Sequence, residues 1–146
     1  MRESGYRVGV ERAYRRRMTT RTQELGLLGE RVAARWLRRQ GWRIVDHRWR
    51  SGRRDLDLVA VRDATVAFVE VKARRGTWCG GPVAAVGWRK QRELTRSAQA
   101  WLDQRGPVAA PGGATLRFDV IGVVVAEGAV RVAHVEGAFE AFRAAG

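Results

Sequence analysis

Residues Asp55 to Lys72 constrain the fold more than any other stretch of the chain. They read Asp-Leu-Asp-Leu-Val-Ala-Val-Arg-Asp-Ala-Thr-Val-Ala-Phe-Val-Glu-Val-Lys. Two apolar alternating runs flank a polar break at Arg62-Asp63-Ala64, which is the pattern of a β-hairpin. Side chains alternate along a strand. Strict alternation puts Asp55, Asp57 and Val59 on one face and Leu56, Leu58 and Ala60 on the other. In the second run it groups Phe68, Glu70 and Lys72 against Val69, Val71 and Ala73. Charges set into strands this apolar are costly unless they are paired or bind a metal. The simplest resolution brings Asp57, Glu70 and Lys72 together at one end of the hairpin, around a divalent cation.

The chemistry fits these residue types. Two carboxylates offer hard oxygen ligands for Mg²⁺ or Mn²⁺. A cation there polarises a phosphate oxygen and lowers the pKa of a bound water. Lys72, two residues after Glu70, shares its strand face and can stabilise developing negative charge. Glu-Val-Lys alone is a weak signal; an upstream Asp-Leu 13 residues before Glu70 in an apolar hairpin sharpens it.

Charge points the same way. The chain has 146 residues, 28 of them basic against 15 acidic, for a net charge of +13. Such an excess favours polyanions, chiefly nucleic acid, through phosphate contact and counterion release. Most of it is arginine, whose planar fork suits phosphate and stacks on bases; the competing reading is solubilisation alone. The length predicts one domain that buries about two-thirds of its unfolded surface. No apolar run approaches the roughly 18 residues that would span a bilayer, so no membrane partner is expected. The basic N-terminus lacks the apolar core of a signal peptide, which makes the cytoplasm the expected compartment. One cysteine, Cys79, excludes an internal disulfide framework and a cysteine-rich zinc site.

Along the chain, residues 1–21 carry seven arginines and two glutamates and read as a flexible basic extension, with Met18 a candidate natural start. Residues 22–146 form the domain. Thr22–Gln40 is a helix with Leu25, Leu28, Val32, Ala33, Trp36 and Leu37 on one apolar arc, a threonine at its start and Gly41 at its end. Glu30 lies at the edge of that arc, where a solvent-exposed side chain is the plainer reading. Trp42–Arg50 is a strand, and Ser51 to Arg54 a basic turn. Residues 74–87 form a glycine-rich loop without the order of a phosphate-binding Walker loop. Trp88–Gln104 is a second helix with Leu94, Ala98, Trp101 and Leu102 inward, and Lys90 placed to meet a phosphate. Gly106–Ala114 is a loop, and Leu116–Val125 and Ala129–Val135 form a second hairpin through Glu127-Gly128. Asp119 interrupts it, either pairing with Arg117 or another base or orienting the site indirectly, with the structural role favoured. Gly137–Ala145 reads as a short helix or coil anchored by Phe139 and Phe142. His47 and His134 are too distant in sequence to suggest a histidine metal site. Trp49, Trp78 and Trp88 are either base-stacking surfaces or core, with burial the default.

A longer series of motifs runs from Thr22 to Phe142. It comprises Gly29-Glu30, Gly41-Trp42, Trp49-Arg50, Asp57-Leu58-Val59-Ala60, Phe68 to Arg74, Gly80-Gly81-Pro82, Ala85-Val86, Lys90 and Arg117-Phe118-Asp119-Val120. In order and spacing it resembles the YraN-like family of small bacterial proteins, which is similar to Holliday-junction resolvases and other PD-(D/E)xK nucleases. The resemblance implies an α/β fold, an α+β mixed sheet flanked by helices with a restriction-endonuclease-like core. It implies a metal-dependent endonuclease acting on DNA, with branched or flap structures as candidate substrates. Asp57 and Glu70 match the metal ligands, Lys72 the catalytic lysine and Glu30 the helix glutamate of the resolvase-like branch. Arg53, Arg54, Arg74 and Lys90 would guide phosphates. Resolvases act as dimers, so a homodimer is the assembly it suggests, although no interface is marked. The chain departs from the family pattern at Arg54, usually glycine, at Asp55, usually glutamate, and at Arg48, usually asparagine. Rival readings are a non-catalytic nucleic-acid-binding module on the same scaffold, and a protein-interaction subunit whose acids only stabilise the hairpin.

Overall fold

The computed structural model describes the backbone of residues 2–6 and the whole of residues 21–76, 81 and 86–140. The elements are β1 (Arg2–Tyr6), α1 (Arg21–Arg39), β2 (Arg43–Ser51), β3 (Arg54–Arg62), β4 (Thr65–Arg75), α2 (Trp88–Ala109), β5 (Thr115–Ala126) and β6 (Ala129–Phe139). The strands form one sheet in the order β1-β6-β5-β4-β3-β2. Neighbours are antiparallel except β4 and β5, which run parallel along Thr65–Arg75. A parallel pair needs a long crossover, and α2 with its flanking loops supplies it.

The helices cover opposite faces, and two apolar clusters record the division. Leu28, Val32, Ala33, Trp36 and Leu37 of α1 pack on Leu58, Ala60, Val69, Ile121 and Val123. Leu94, Ala98 and Trp101 of α2 pack on Leu56, Val59, Val66, Phe68 and Phe118. The six α1 residues of the expected arc are therefore its inward face, and the mixed sheet flanked by helices is observed. Helix α1 ends as expected at Gly41, with φ 88°, while the Trp42 N–H donates back to the Leu37 carbonyl at 3.0 Å. This six-to-one bond is a Schellman closure.

Both hairpins form. The second turns through Glu127 and Gly128, with φ of 45° and 75°, as a two-residue turn between twisted strands requires. Several boundaries differ from expectation. Residues Arg2–Tyr6, read as part of a flexible extension, pair as an edge strand with Val130–His134. Helix α2 does not stop before Gly106 but continues through Pro107 to Ala109. Strand β6 runs to Phe139 instead of yielding to a helix or coil at Gly137; Phe139 stacks on Phe118 with ring centroids 4.8 Å apart. Most of the glycine-rich loop, including Cys79, Gly80 and Pro82, lies outside the described residues, as do Trp78, Met18 and Phe142.

Candidate functional site

Strict alternation fails at one place in β3, and that place organises the site. Leu56 and Val59 both join the cluster under α2, whereas Leu58 and Ala60 join the one under α1. The expected grouping of Leu56 with Leu58, and of Asp57 with Val59, is thus corrected: the strand shifts phase between Leu56 and Leu58. The cause lies in the pairing. β3 and β4 are in register from Arg62–Thr65 to Leu58–Val69, and there the ladder ends. One step further the same register sets Asp57 opposite Glu70. Instead of a ladder bond, the Val71 N–H donates to Asp57 Oδ2 at 2.8 Å. The Asp57 side chain stands in the cleft where the two strands part.

Glu70 lies on the α2 side of β4 and is 6% exposed. Lys72 Nζ is 3.3 Å from its Oε1, and Lys90 Nζ, from the first turn of α2, is 3.8 Å from the same oxygen. These are the chain's only lysines among 28 basic residues. The sequence reading placed Lys90 against a phosphate; the structure sets it first against Glu70. The signal that would have found it is compositional: a chain this rich in arginine carries lysine at two positions only.

Burial pushes the Glu70 carboxyl up to about 7, with the Asp57 charge adding to the rise; Lys90 and Lys72 oppose it. Asp57 is also raised, first by burial, against the Val71 N–H and the lysines. Each carboxyl acts on the proton affinity of the other, so they titrate as a pair. Among such pairs one acid is held neutral because two adjacent carboxylates resist joint ionisation.

Glu30 comes to the same centre from α1. Its carboxyl is pushed up to about 6 by burial and by the Asp57 charge, against the Arg48 guanidinium. Arg48 Nε is 3.6 Å from Glu30 Oε2. Arg48 stands between His47 and Trp49, which pair with Leu58 and Leu56, and has φ 48°, a left-handed conformation rare for a side chain of this size. Helix α1 approaches closely enough to deliver Glu30 because its neighbour is Gly29. A Cβ there would sit 2.7 Å from the Ala73 Cβ. The sequence marked Arg48 only as a departure; its pairing with Glu30 was not legible.

The remaining expected residues are dispersed. Arg53 is exposed in the β2–β3 turn, and Arg54 opens β3 opposite Ser51. Arg74 is exposed near the end of β4, where its Nη1 donates to the Ala73 carbonyl at 3.1 Å. Arg54 is three residues from Asp57, roughly 10 Å along an extended strand.

Asp119 belongs to a separate, structural centre. Arg117 holds it with Nε to Oδ1 at 2.8 Å and Nη2 to Oδ2 at 2.9 Å. The Gly137 N–H donates to Oδ1 at 3.0 Å, and His134 Nε2 lies 2.8 Å from Oδ2. The Trp36 indole N–H donates to His134 Nδ1 at 3.1 Å. With Nδ1 accepting, Nε2 carries the proton that bonds Asp119. Of the partners the sequence left open, Arg117 is the one observed, and the Trp36–His134–Asp119 bonds tie α1 to β5 and β6.

A divalent cation fits the hairpin pair on donor chemistry. Asp57 and Glu70 are two adjacent oxygen donors with raised proton affinity, the situation a cation relieves. Among the described residues no group of three or more His, Cys, Asp or Glu is arranged to hold a metal. Mg²⁺ is commonly bound by one or two carboxylates, with water and phosphate completing the shell.

Fold and site together define a small mixed α/β protein with a buried and a partly buried carboxylate flanked by two lysines at a sheet opening. The model of the uncharacterised protein family UPF0102 matches residues 29–123, a span that contains Glu30, Arg48, Asp57, Glu70, Lys72 and Lys90. A UPF0102 protein of Myxococcus xanthus is 39% identical over 130 residues, which is 87% of this chain and 98% of that protein. One from Rhodococcus jostii is 40% identical over 116 residues, covering 79% and 95%. One from Chlorobium chlorochromatii is 43% identical over 104 residues, covering 71% and 77%. The chain belongs to the UPF0102 family, the YraN-like family its motifs resemble. Among the described residues no helix is long and apolar enough to cross a membrane.

Proposed function

We propose that the chain is a metal-dependent phosphodiesterase acting on DNA, built on a restriction-endonuclease-like core, with branched or flap structures as its substrate class. The observation that carries this reading is the meeting of Asp57, Glu70 and Lys72 where β3 and β4 separate, with both lysines of the chain on Glu70. Asp57 and Glu70 would hold Mg²⁺ or Mn²⁺, which supplies Lewis-acid polarisation of a phosphate oxygen and lowers the pKa of bound water.

The chain's own residues supply the rest. Lys72 stands beside the acids and donates to the attacking water or to the phosphate oxygen as charge builds. Lys90 approaches from α2 and neutralises the other side of the phosphate. Glu30, with its carboxyl raised to about 6, is ionised near neutrality and can accept a proton there. Arg48 fixes its orientation. Arg53, Arg54 and Arg74 would contact flanking phosphates, which position a duplex without reading its sequence.

The test is cleavage of linear, flap and four-way DNA with Mg²⁺ or Mn²⁺. The expected result is metal-dependent cleavage of at least one substrate, abolished in Asp57→Ala with binding retained. Lys72→Ala should lose about 10²–10³-fold in rate, the usual effect of removing one donor from a developing charge. DNA binding without cleavage under any metal would identify a binding module. Neither binding nor cleavage, with Asp57→Ala altering only stability, would leave the acids a structural role.

A further inference from the structure

Among the described residues Trp88 is one of two exposed large apolar side chains, and it is 63% exposed. The other, Val108, is at the far end of the same helix. A tryptophan left in water is unusual, because the indole is among the largest apolar side chains a core can use. Trp88 is the first residue of α2, and no acid lies in that first turn. The Arg89 guanidinium lies 5.5 Å from its ring centroid and that of Arg92 5.6 Å, both within cation–π range. Two residues along the helix, about 3 Å of axial rise, Lys90 reaches Glu70. Of the other candidate stacking residues, Trp49 is partly buried against the α2-side cluster.

We infer that Trp88 is a stacking platform for an unpaired base of the DNA substrate, with Arg89 and Arg92 holding the adjoining phosphates. The inference deepens the nuclease reading and rests on it. An exposed indole with two guanidiniums over its ring matches one nucleotide: the base takes the ring face and the displaced guanidiniums turn to its phosphate. A protein surface would not need the cations, and a base paired inside a duplex has both faces already stacked. The platform begins the helix that places Lys90 at the acid pair, so an unpaired nucleotide held there brings a neighbouring phosphate toward Asp57 and Glu70. That gives a physical reason for junctions, flaps or frayed ends to be preferred over continuous duplex.

The experiment is equilibrium binding of the full chain to fluorescein-labelled DNA in a chelator, so that no cleavage enters. The probes are an unstructured single strand, a blunt duplex of the same length and the matching RNA single strand. Trp88→Ala should weaken single-strand DNA binding roughly 5- to 100-fold, the range expected when one base–aromatic stack is lost. Duplex binding should change less than about twofold, and Trp88→Phe should restore most of the loss. Trp88 is exposed, so thermal unfolding should be unchanged, which separates the effect from misfolding. Unchanged single-strand binding in Trp88→Ala, or equal weakening on duplex, overturns the platform and leaves the nuclease reading intact. Tighter, Trp88-dependent binding of the RNA strand overturns DNA as the ligand. Failure of the wild-type chain to bind any probe overturns the platform, whereas the nuclease reading is overturned only by the cleavage assay on linear, flap and four-way DNA.

Discussion

Two sets of buried acids respond oppositely to pH. Glu70 is raised from 4.5 to about 7. Without a cation, the native chain therefore keeps a proton that the unfolded chain has lost between about pH 4.5 and 7, and stability falls as pH rises through that window. The whole shift corresponds to on the order of 3 kcal/mol above pH 7. Asp57, also raised, acts in the same direction. Urea melts across pH in a chelator should show this decline. Glu70→Gln, which mimics the protonated acid, should flatten it and be the more stable form above about pH 7. Parallel curves for the two proteins would contradict the assignment.

Asp119 behaves in the reverse sense. Its carboxyl lies below the usual 3.8; the bonds from His134, Arg117 and the Gly137 N–H together outweigh the rise that burial alone would cause. Its contribution is fully present above about 3.8 and is lost as pH falls through the native value. Asp119→Ala leaves Arg117 and the buried His134 without their partner. It should cost about 3–5 kcal/mol in equilibrium unfolding, the range for breaking a buried pair. A loss below about 1 kcal/mol would mean that water replaces the carboxylate.

At the scale of elements, the packing of α1 on β4 is the most sensitive contact. A methyl group at position 29 would meet the Ala73 Cβ at 2.7 Å, and neither partner is the far end of a flexible side chain. Gly29→Ala should gain at most about 1 kcal/mol of helix propensity and lose about 1–3 kcal/mol to overpacking. The expected net result is a lower midpoint in urea. Because α1 must move off the sheet, cleavage should fall by more than stability predicts, as Glu30 moves with it. Unaltered stability and cleavage would show that the helix has slack there.

The elements also show what a sequence can and cannot disclose. Both hairpins and the inward face of α1 were legible, because period and turn residues are local. The phase shift at Asp57 was not, since it arises where the ladder with β4 stops and a side chain takes the Val71 N–H. Strand β6 outran its expected end because Gly137 bonds a carboxylate 18 residues away in sequence and Phe139 finds Phe118. Helix α2 crossed Pro107, although proline forfeits one helical bond; the alanines behind it favour a last turn, closed by the Ala110 N–H to the Gly106 carbonyl at 3.0 Å. Asp57, Glu70 and Lys72 could be grouped because one hairpin carries all three. The Arg48–Glu30 pair joins different elements, so no local pattern announced it.

For the whole molecule, the proposed function makes one design of the +13 charge and the buried acids. On that reading the arginines would attract a polyanion at long range. Inside the opening between β3 and β4 the sign reverses, and the acids would hold a cation that a phosphate shares. The two lysines sit at that boundary, the compact point charges in a chain that elsewhere uses arginine. Titration of Mn²⁺ into the nucleic-acid-free chain at about pH 8, above the value of about 7 to which Glu70 is raised, tests this most directly. One site per chain is predicted, lost in Asp57→Ala and in Glu70→Ala, and retained in Lys72→Ala, with all variants folded by circular dichroism. The same Mn²⁺ site persisting when both acids are replaced, or no binding by the wild-type chain, would contradict it.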